Sequence, residues 1–302
     1  MMVDRYDDLL DKAQEAFASG NLEGALLHFE AAQKLASNSN DMDRADRAAC
    51  SACFVQIEMG QAEKQIPHLR RLFMGTLNPR NRCTAAYNMA AAFLNLEDFD
   101  SAMEWAERSG ELAKNVDEPS LTAGVHNQQA SLSLRFSRFE EAENGFNLAL
   151  EAMESLDETL HAANRATVLG NLGYALMCTD RLEEGLGLCE QARIALDELS
   201  ADHLIYENLQ DLCYGYVLDD QLERAHAAGE RAYDLAERYD DDQVMKNCLF
   251  LLAEVAVRRG DAFRGRRYLR ELAEFYPEIG MNEEIIDVFL TTDLTNVVNL
   301  RG

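Results

Sequence analysis

Apolar residues recur along this chain three and four positions apart, which is the spacing of the buried face of an amphipathic helix. Between these faces a short phrase, a turn followed by the start of a helix, returns seven times. The phrase occupies Gly20–Ala25, Gly60–Gln65, Glu97–Ala102, Ser137–Ala142, Asp180–Gly185, Asp220–Ala225 and Gly260–Gly265. The last residues of successive phrases lie 40, 37, 40, 43, 40 and 40 positions apart. Such regular spacing predicts an array of similar two-helix units.

Each phrase is paired with a small residue about twelve positions before its end. These residues are Ala13, Cys53, Ala90, Ala130, Gly173, Cys213 and Ala253. The phrase itself ends in Ala or Gly in six of seven copies, with Gln65 as the exception. Two antiparallel helices approach to about 8 Å only where the residues at their crossing are small. We therefore predict helix, tight turn and helix in each unit, crossing at the small pair.

Larger residues follow the phrase four and seven positions on, as with Phe146 and Ala149. The common order is thus small residue, turn, small residue, apolar residue and alanine, and Pro277 closes the last copy. In this order the stretch from 5 to 277 resembles the tetratricopeptide repeat family. The family's usual unit is about 34 residues, and the units here are longer. Longer members, including those in kinesin light chains and in bacterial peptide-sensing regulators, are similar. A solenoid of the HEAT or armadillo type, with periods of about 40 to 47 residues, is the alternative.

The resemblance implies an all-α fold, a right-handed superhelix (α-solenoid) of seven repeats with a C-terminal capping helix. Within residues 1–277 the predicted repeats cover about 5–41, 42–78, 79–117, 118–157, 158–200, 201–240 and 241–277. Residues 278–302 are predicted to form the capping helix and a tail, because Ile285, Ile286, Phe289 and Leu290 make an apolar stripe. The tail, Asp293–Leu300, is either a second capping turn or a short apolar peptide that docks in the groove of its own or a neighbouring molecule.

Composition and charge restrict the class of partner. Apolar residues make up 47% of the 302 residues, enough for an extended core. The net charge of −26 argues against nucleic acid and anionic membrane, which require a basic face, and favours solubility or a basic partner. No apolar run of about 18 residues occurs, and the N-terminus is acidic, so we expect a cytoplasmic protein without membrane insertion. Seven scattered cysteines fit reduced thiols.

The sequence carries no phosphate loop, complete dinucleotide fingerprint, zinc-protease motif or nucleophile elbow, and we predict a protein that is not an enzyme and has no cofactor. Cys50 and Cys53 form a CxxC pair, and Cys83 opens the next repeat. A zinc site needs a second ligand pair at defined spacing, which is missing, so we predict no metal site and assign Cys53 to packing.

In the family, first helices hold the partner, and asparagines two or three positions before the small residue bond a peptide backbone. A side-chain amide suits this role because it offers donors and acceptors. The matching polar positions here are Asn88, Asn127, Gln128, Asn171, Gln210 and Asp211. Nearby aromatic residues are predicted anchors, with an inter-repeat core as the alternative. They are Phe54, Tyr87, Tyr174, Tyr214 and Phe250. The basic clamp that some chaperone-binding relatives use for a terminal carboxylate is not matched.

Positive charge concentrates near the end of the array. The stretch from 258 to 270 contains one acid and six arginines, which are Arg258, Arg259, Arg264, Arg266, Arg267 and Arg270. This predicted basic patch is either a docking surface for an acidic partner, including a second copy of the chain, or a solvated face.

These features predict a scaffold or adaptor that holds a protein or peptide partner in the groove. The first alternative is a regulatory or sensor module whose superhelix responds to a bound peptide and signals to an output protein. An enzyme site in the groove and an acidic surface that imitates nucleic acid are further alternatives, and salt sensitivity of binding separates the last from the adaptor.

Overall fold

The computed structural model describes residues 5–277, 283–292 and 299–301, and in these ranges the protein consists of fifteen α-helices without a strand. The all-α prediction is confirmed. The helices are α1 (Arg5–Ala18), α2 (Leu22–Asn38), α3 (Met42–Glu58), α4 (Ala62–Gly75), α5 (Pro79–Asn95), α6 (Phe99–Ala113), α7 (Pro119–Arg135), α8 (Phe139–Met153), α9 (Glu158–Met177), α10 (Leu182–Glu198), α11 (Asp202–Leu218), α12 (Leu222–Arg238), α13 (Asp242–Arg258), α14 (Ala262–Glu274) and α15 (Glu283–Thr291).

The chain divides into two compact units, residues 1–132 and 133–302, and the division falls inside α7. In the first unit consecutive helices from α1 to α6 pack on one another, and α3 also lies against α5. In the second unit consecutive helices from α8 to α14 pack in the same way, while α11 contacts both α9 and α13. Within each unit the first helices of successive repeats are therefore neighbours, which is the arrangement that a line of binding side chains requires.

The turn inside each repeat depends on one residue with positive φ. The first residue of every recurring phrase has this conformation: Gly20, Gly60, Glu97, Ser137, Asp180, Asp220 and Gly260. The three glycines adopt it without a Cβ clash, while the other four side chains adopt it at φ between 55° and 61°. The phrase recurs because each repeat reverses direction through the same backbone geometry.

Side-chain caps fix where several helices begin. The Asn21 Oδ1 atom accepts from the amide of Gly24 at 2.9 Å, and the Asp98 Oδ1 atom accepts from the amide of Ser101 at 3.1 Å. Asp241 caps α13 in the same way through the amide of Val244. Such caps satisfy amides that the first turn leaves unpaired.

In the fifth repeat the predicted small pair, Gly173 and Gly185, lies where α9 and α10 approach each other closely. A Cβ atom placed on Gly173 would lie 2.7 Å from the carbonyl oxygen of Gly185 and 2.6 Å from the Cys189 Sγ atom. A Cβ atom on Gly185 would lie 2.5 Å from the carbonyl oxygen of Gly173. No side chain fits between α9 and α10 at this point, so the backbones are in contact there.

Helix α15 closes the second unit, as predicted for the cap. Ile286 is buried against a core cluster that includes Leu252, Tyr268 and Leu269 from α13 and α14. Residues 278–282 and 293–298, which belong to the predicted cap and tail, lie outside the described residues. None of the helices in the described ranges is long and apolar enough to cross a membrane.

Substitution of Gly173 by alanine tests the close approach. We expect Gly173→Ala to lower the free energy of unfolding by about 1 to 3 kcal/mol, because overpacking forces the two backbones apart. Gly187→Ala on α10 is the matched control, since a Cβ atom there meets nothing within 4 Å. The control should be neutral or more stable by up to about 1 kcal/mol, the helix propensity of alanine over glycine. Urea unfolding measures both, and equal stabilities of the two variants would contradict the packing argument.

Candidate functional site

In the second unit residues 299–301 of the same chain lie in a groove along α9, α11 and α13. We call these three residues the docked segment. Their side-chain and main-chain atoms bond to Tyr174 on α9, Asp211 on α11 and Asn247 on α13. Of the predicted tail, Asn299 and Leu300 are the described residues, and both contact the chain's own groove.

Leu300 is held by its main chain. Its amide donates to the Tyr174 hydroxyl at 3.0 Å, and its carbonyl oxygen accepts from the Asn247 Nδ2 atom at 2.8 Å. The leucine is 2% exposed. The groove thus pairs both polar main-chain groups of one residue and encloses its apolar side chain.

Asn299 attaches the segment to the end of α7. Its Nδ2 atom donates to the carbonyl oxygen of Leu134 at 2.8 Å and to the Ser137 hydroxyl at 3.0 Å. Its Oδ1 atom accepts from the Tyr174 hydroxyl at 3.1 Å and from the amide of Arg301 at 3.0 Å. The Leu134 carbonyl oxygen also accepts from the amide of Ser137, so the Asn299 side chain adds a second hydrogen bond at the end of α7.

Arg301 enters an acidic pocket. Its Nη1 atom lies 2.5 Å from the Glu207 carboxylate, and its Nη2 atom lies 2.6 Å from the Asp211 carboxylate. The Nη2 atom also approaches the Asn171 Oδ1 atom at 3.4 Å, and the guanidinium lies over the Tyr174 ring at 5.7 Å from its centre. The side chain of Asp211 is only 1% exposed, so this pair is shielded from water.

Burial and charge act in opposite directions on this pair. Burial raises the pKa of Asp211 to about 6, against the lowering effect of the Arg301 guanidinium, while Glu207 adds to the rise. Burial works to lower the pKa of Arg301, but Asp211 and Glu207 outweigh it and raise the pKa, so the guanidinium stays charged. The pocket therefore favours a permanent cation.

The other predicted groove residues of the second unit have different roles. Gln210 is fully buried and its Oε1 atom accepts from Asn247 at 2.9 Å, so it positions a residue that contacts the segment. The Tyr214 ring packs 5.9 Å from the Tyr174 ring, and burial raises the pKa of Tyr214 to about 12. Phe250 packs against the core cluster of α13, α14 and α15, which corresponds to the inter-repeat core alternative.

The first unit contains a separate cleft of about 400 Å³, lined by the predicted residues Phe54, Tyr87 and Asn88. Phe54 pairs with Phe17 at 5.8 Å between ring centres. Asn88 is buried, and its Nδ2 atom donates to the carbonyl oxygen of Cys50 at 2.8 Å, so it joins α5 to α3.

Two predicted residues of α7 also lie in the first unit. Gln128 donates to the carbonyl oxygen of Tyr87 at 3.3 Å, which connects α7 to α5. The Oδ1 atom of Asn127 is buried without a hydrogen-bond partner among the described residues. The Oε1 atom of Gln128 is also buried without a partner among the described residues, so both amides retain an acceptor.

The predicted basic patch is matched by acids on the same chain. Arg258 pairs with Glu254, Arg259 with Glu223, Arg264 with Asp261, and Arg267 with Glu271. Arg266 and Arg270 both pair with Glu283, and Arg266 also reaches Asp287, so two of the six arginines fasten α15 to α14. Much of the positive charge is therefore offset inside the molecule.

The thiols of Cys50, in the CxxC pair, and of Cys83 both lie against backbone carbonyl groups. The Cys50 thiol lies 3.7 Å from the carbonyl oxygen of Asn81, and the Cys83 thiol lies 3.4 Å from that of Ser109. Burial raises the pKa of Cys53 and of Cys83 to about 11 in each case. Across the described part of the chain no three His, Cys, Asp or Glu side chains are placed to hold a metal ion.

Comparison with solved structures identifies the architecture. NprR in complex with its cognate peptide NprX superposes with a TM-score of 0.67 at 13% identity, over 96% of this chain and 83% of that one. The apo form of RapI has a TM-score of 0.63 at 13% identity, over 95% and 80% of the two chains. PH0952 of Pyrococcus horikoshii, a signal-transduction ATPase with a tetratricopeptide repeat sensor, has a TM-score of 0.59 at 14% identity, over 87% of this chain and 46% of that one.

The fold is that of tetratricopeptide-like repeat proteins. The predicted resemblance is thus confirmed for the fold, and at these identities the likeness extends to the fold alone. No family model matches the sequence, and no curated protein matches it significantly.

Three residues important to the site were missed by the sequence analysis. They are Glu207, Asn247 and Arg301. Glu207 lies one helical turn before the predicted Asp211, and Arg301 pairs with both of these acids. Asn247 lies one turn before the predicted Phe250 and donates to the carbonyl oxygen of Leu300. A usable signal was the repeat period, because Glu207 and Asn247 are 40 positions apart, as are Asn171 and Asp211.

The raised pKa of Asp211 predicts a pH-dependent contribution to stability. Between about pH 4, near the ordinary pKa of aspartate, and about pH 6 the folded protein retains a proton that the unfolded chain releases. In this window the contribution of Asp211 to the free energy of unfolding falls as pH rises. Asp211→Asn lacks this proton, so its stability relative to wild type should rise from pH 4.5 to 6.5, by at most about 3 kcal/mol. Urea unfolding at several pH values measures the difference, and parallel profiles would refute it.

Proposed function

We propose that this chain is a non-enzymatic scaffold or adaptor that holds a protein or peptide partner along the first helices of its repeats. The observation that supports the proposal is the docked segment, in which three residues of ordinary polypeptide are held by Tyr174, Asn247, Asp211 and their neighbours. Main-chain pairing of Leu300 uses an amide and a carbonyl group that almost every peptide residue presents. NprR, whose fold is similar, forms a complex with the peptide NprX, and this is consistent with the same use of the groove.

A regulatory or sensor module is the second candidate, and the docked segment favours it as well. A ligand that takes the place of residues 299–301 would release a part of the chain from Tyr174 and Asn247. Such a ligand would couple occupancy of the groove to the position of the segment, since a ligand shifts an equilibrium by its differential affinity for the two states. A sensor of this kind transmits binding to an output protein, whereas a scaffold does not.

A groove variant tests the proposed function. Peptides are selected from a random library on an immobilised chain ending at Val298, which lacks the docked segment. They should bind the Tyr174→Phe, Asn247→Ala double variant of that shortened chain roughly tenfold or more weakly, because two main-chain hydrogen bonds are lost. Asn147→Ala in the shortened chain is the matched control, since Asn147 is an exposed amide on α8, and it should bind like the shortened parent chain.

Fluorescence anisotropy gives the dissociation constants, and circular dichroism verifies that each variant is folded. Equal affinity of the folded double variant and the shortened parent chain for the selected peptides would rule out the α9, α11 and α13 groove as the site.

A further inference from the structure

The docked segment defines a pocket with a particular chemistry. Glu207 and Asp211 lie one helical turn apart on α11 and direct their carboxylates at the same guanidinium. Like charges four positions apart disfavour a helix unless something compensates them. Asp211 is also almost completely enclosed, and a buried carboxylate without a partner is strongly unfavourable. An occupant of this pocket must therefore bring a cation.

The geometry distinguishes arginine from lysine. The two acids are reached by different nitrogens of Arg301, Nη1 for Glu207 and Nη2 for Asp211, while Nη2 also approaches Asn171. A planar guanidinium offers this fork, whereas the ammonium of lysine is a single point charge. The Tyr174 ring beneath the guanidinium adds a favourable face for a planar cation.

The residues before the arginine are specified as well. The preceding position needs a side chain that fits an enclosed apolar site, as Leu300 does, and free main-chain groups for Tyr174 and Asn247. The position before that holds an amide, which bonds both to the end of α7 and to the arginine amide. Together the three subsites select the order amide, apolar residue, arginine.

We propose that this pocket binds a peptide segment in which an apolar residue is followed by arginine, and that residues 299–301 are an intramolecular competitor for it. The proposal rests on the proposed function and specifies its ligand class. Because the segment belongs to the chain, it is present at high effective concentration, so it weakens the apparent affinity of a free ligand for the intact protein. Release of the segment exposes the site.

The test uses a labelled heptapeptide with the sequence of residues 296–302, Asn-Val-Val-Asn-Leu-Arg-Gly, as the probe. Anisotropy should show at least tenfold tighter binding to a chain ending at Val298 than to wild type, because the competitor is removed. On the shortened chain, replacing the peptide's arginine by alanine should weaken binding at least tenfold, and replacing it by lysine should weaken binding severalfold. Asp211→Asn should weaken binding of the arginine peptide, whereas Glu237→Gln, at an exposed acid on α12, should not.

Hydrogen exchange gives a second measurement that does not depend on the shortened chain. Arg301→Ala in the full chain should raise the exchange rate of the Leu300 amide and tighten binding of the probe. Equal binding of the arginine and alanine peptides, or equal binding by wild type and the shortened chain, overturns the inference. If library peptides bind through Tyr174 and Asn247 without an arginine and without sensitivity to Asp211→Asn, the proposed function stands and this ligand class is wrong. If the groove variant alters no binding at all, both fail.

Discussion

Backbone contact between the two helices of a repeat governs the arrangement of everything else in the second unit. At Gly173 and Gly185 the space between α9 and α10 does not admit even a methyl group, so the two helices pack as one layer. Successive layers then bring α9, α11 and α13 side by side. Residues 40 positions apart, such as Asn171 and Asp211, consequently meet at one guanidinium although they belong to different repeats. The groove is thus a consequence of small residues on the opposite side of its helices.

The sequence was sufficient to predict the features that depend on residues close together within each repeat. Turn residues such as Gly60 and small residues such as Ala90 recur at a fixed spacing, and periodic signals of this kind predict the class of fold well. The roles of individual groove residues were harder to predict, because they depend on which neighbour a side chain reaches. Asn88 bonds to a carbonyl group 38 residues away and Phe250 joins a core, although both occupy positions that in the family face a partner.

Charge provides a further example of the limit of local patterns. Six arginines in a short stretch suggested a basic surface, but Arg266 and Arg270 meet Glu283, which follows them by 17 and 13 residues across a helix boundary. A count of charges along the sequence does not record such pairs. The role of Arg301 was not predicted for the same reason, because its acidic partners precede it by 94 and 90 residues.

The docked contacts fit the proposed exchange of occupants better than they fit a purely structural cap. A cap that serves stability alone is best made of apolar packing, as Ile286 of α15 shows, because a buried ion pair contributes little net stability once desolvation is included. The docked segment instead uses one leucine, several hydrogen bonds and a buried ion pair. Interactions of this type distinguish one occupant from another more than they increase affinity. A groove that needed only to be filled would not require Asp211, whereas Asp211 is expected in the selective groove that we propose.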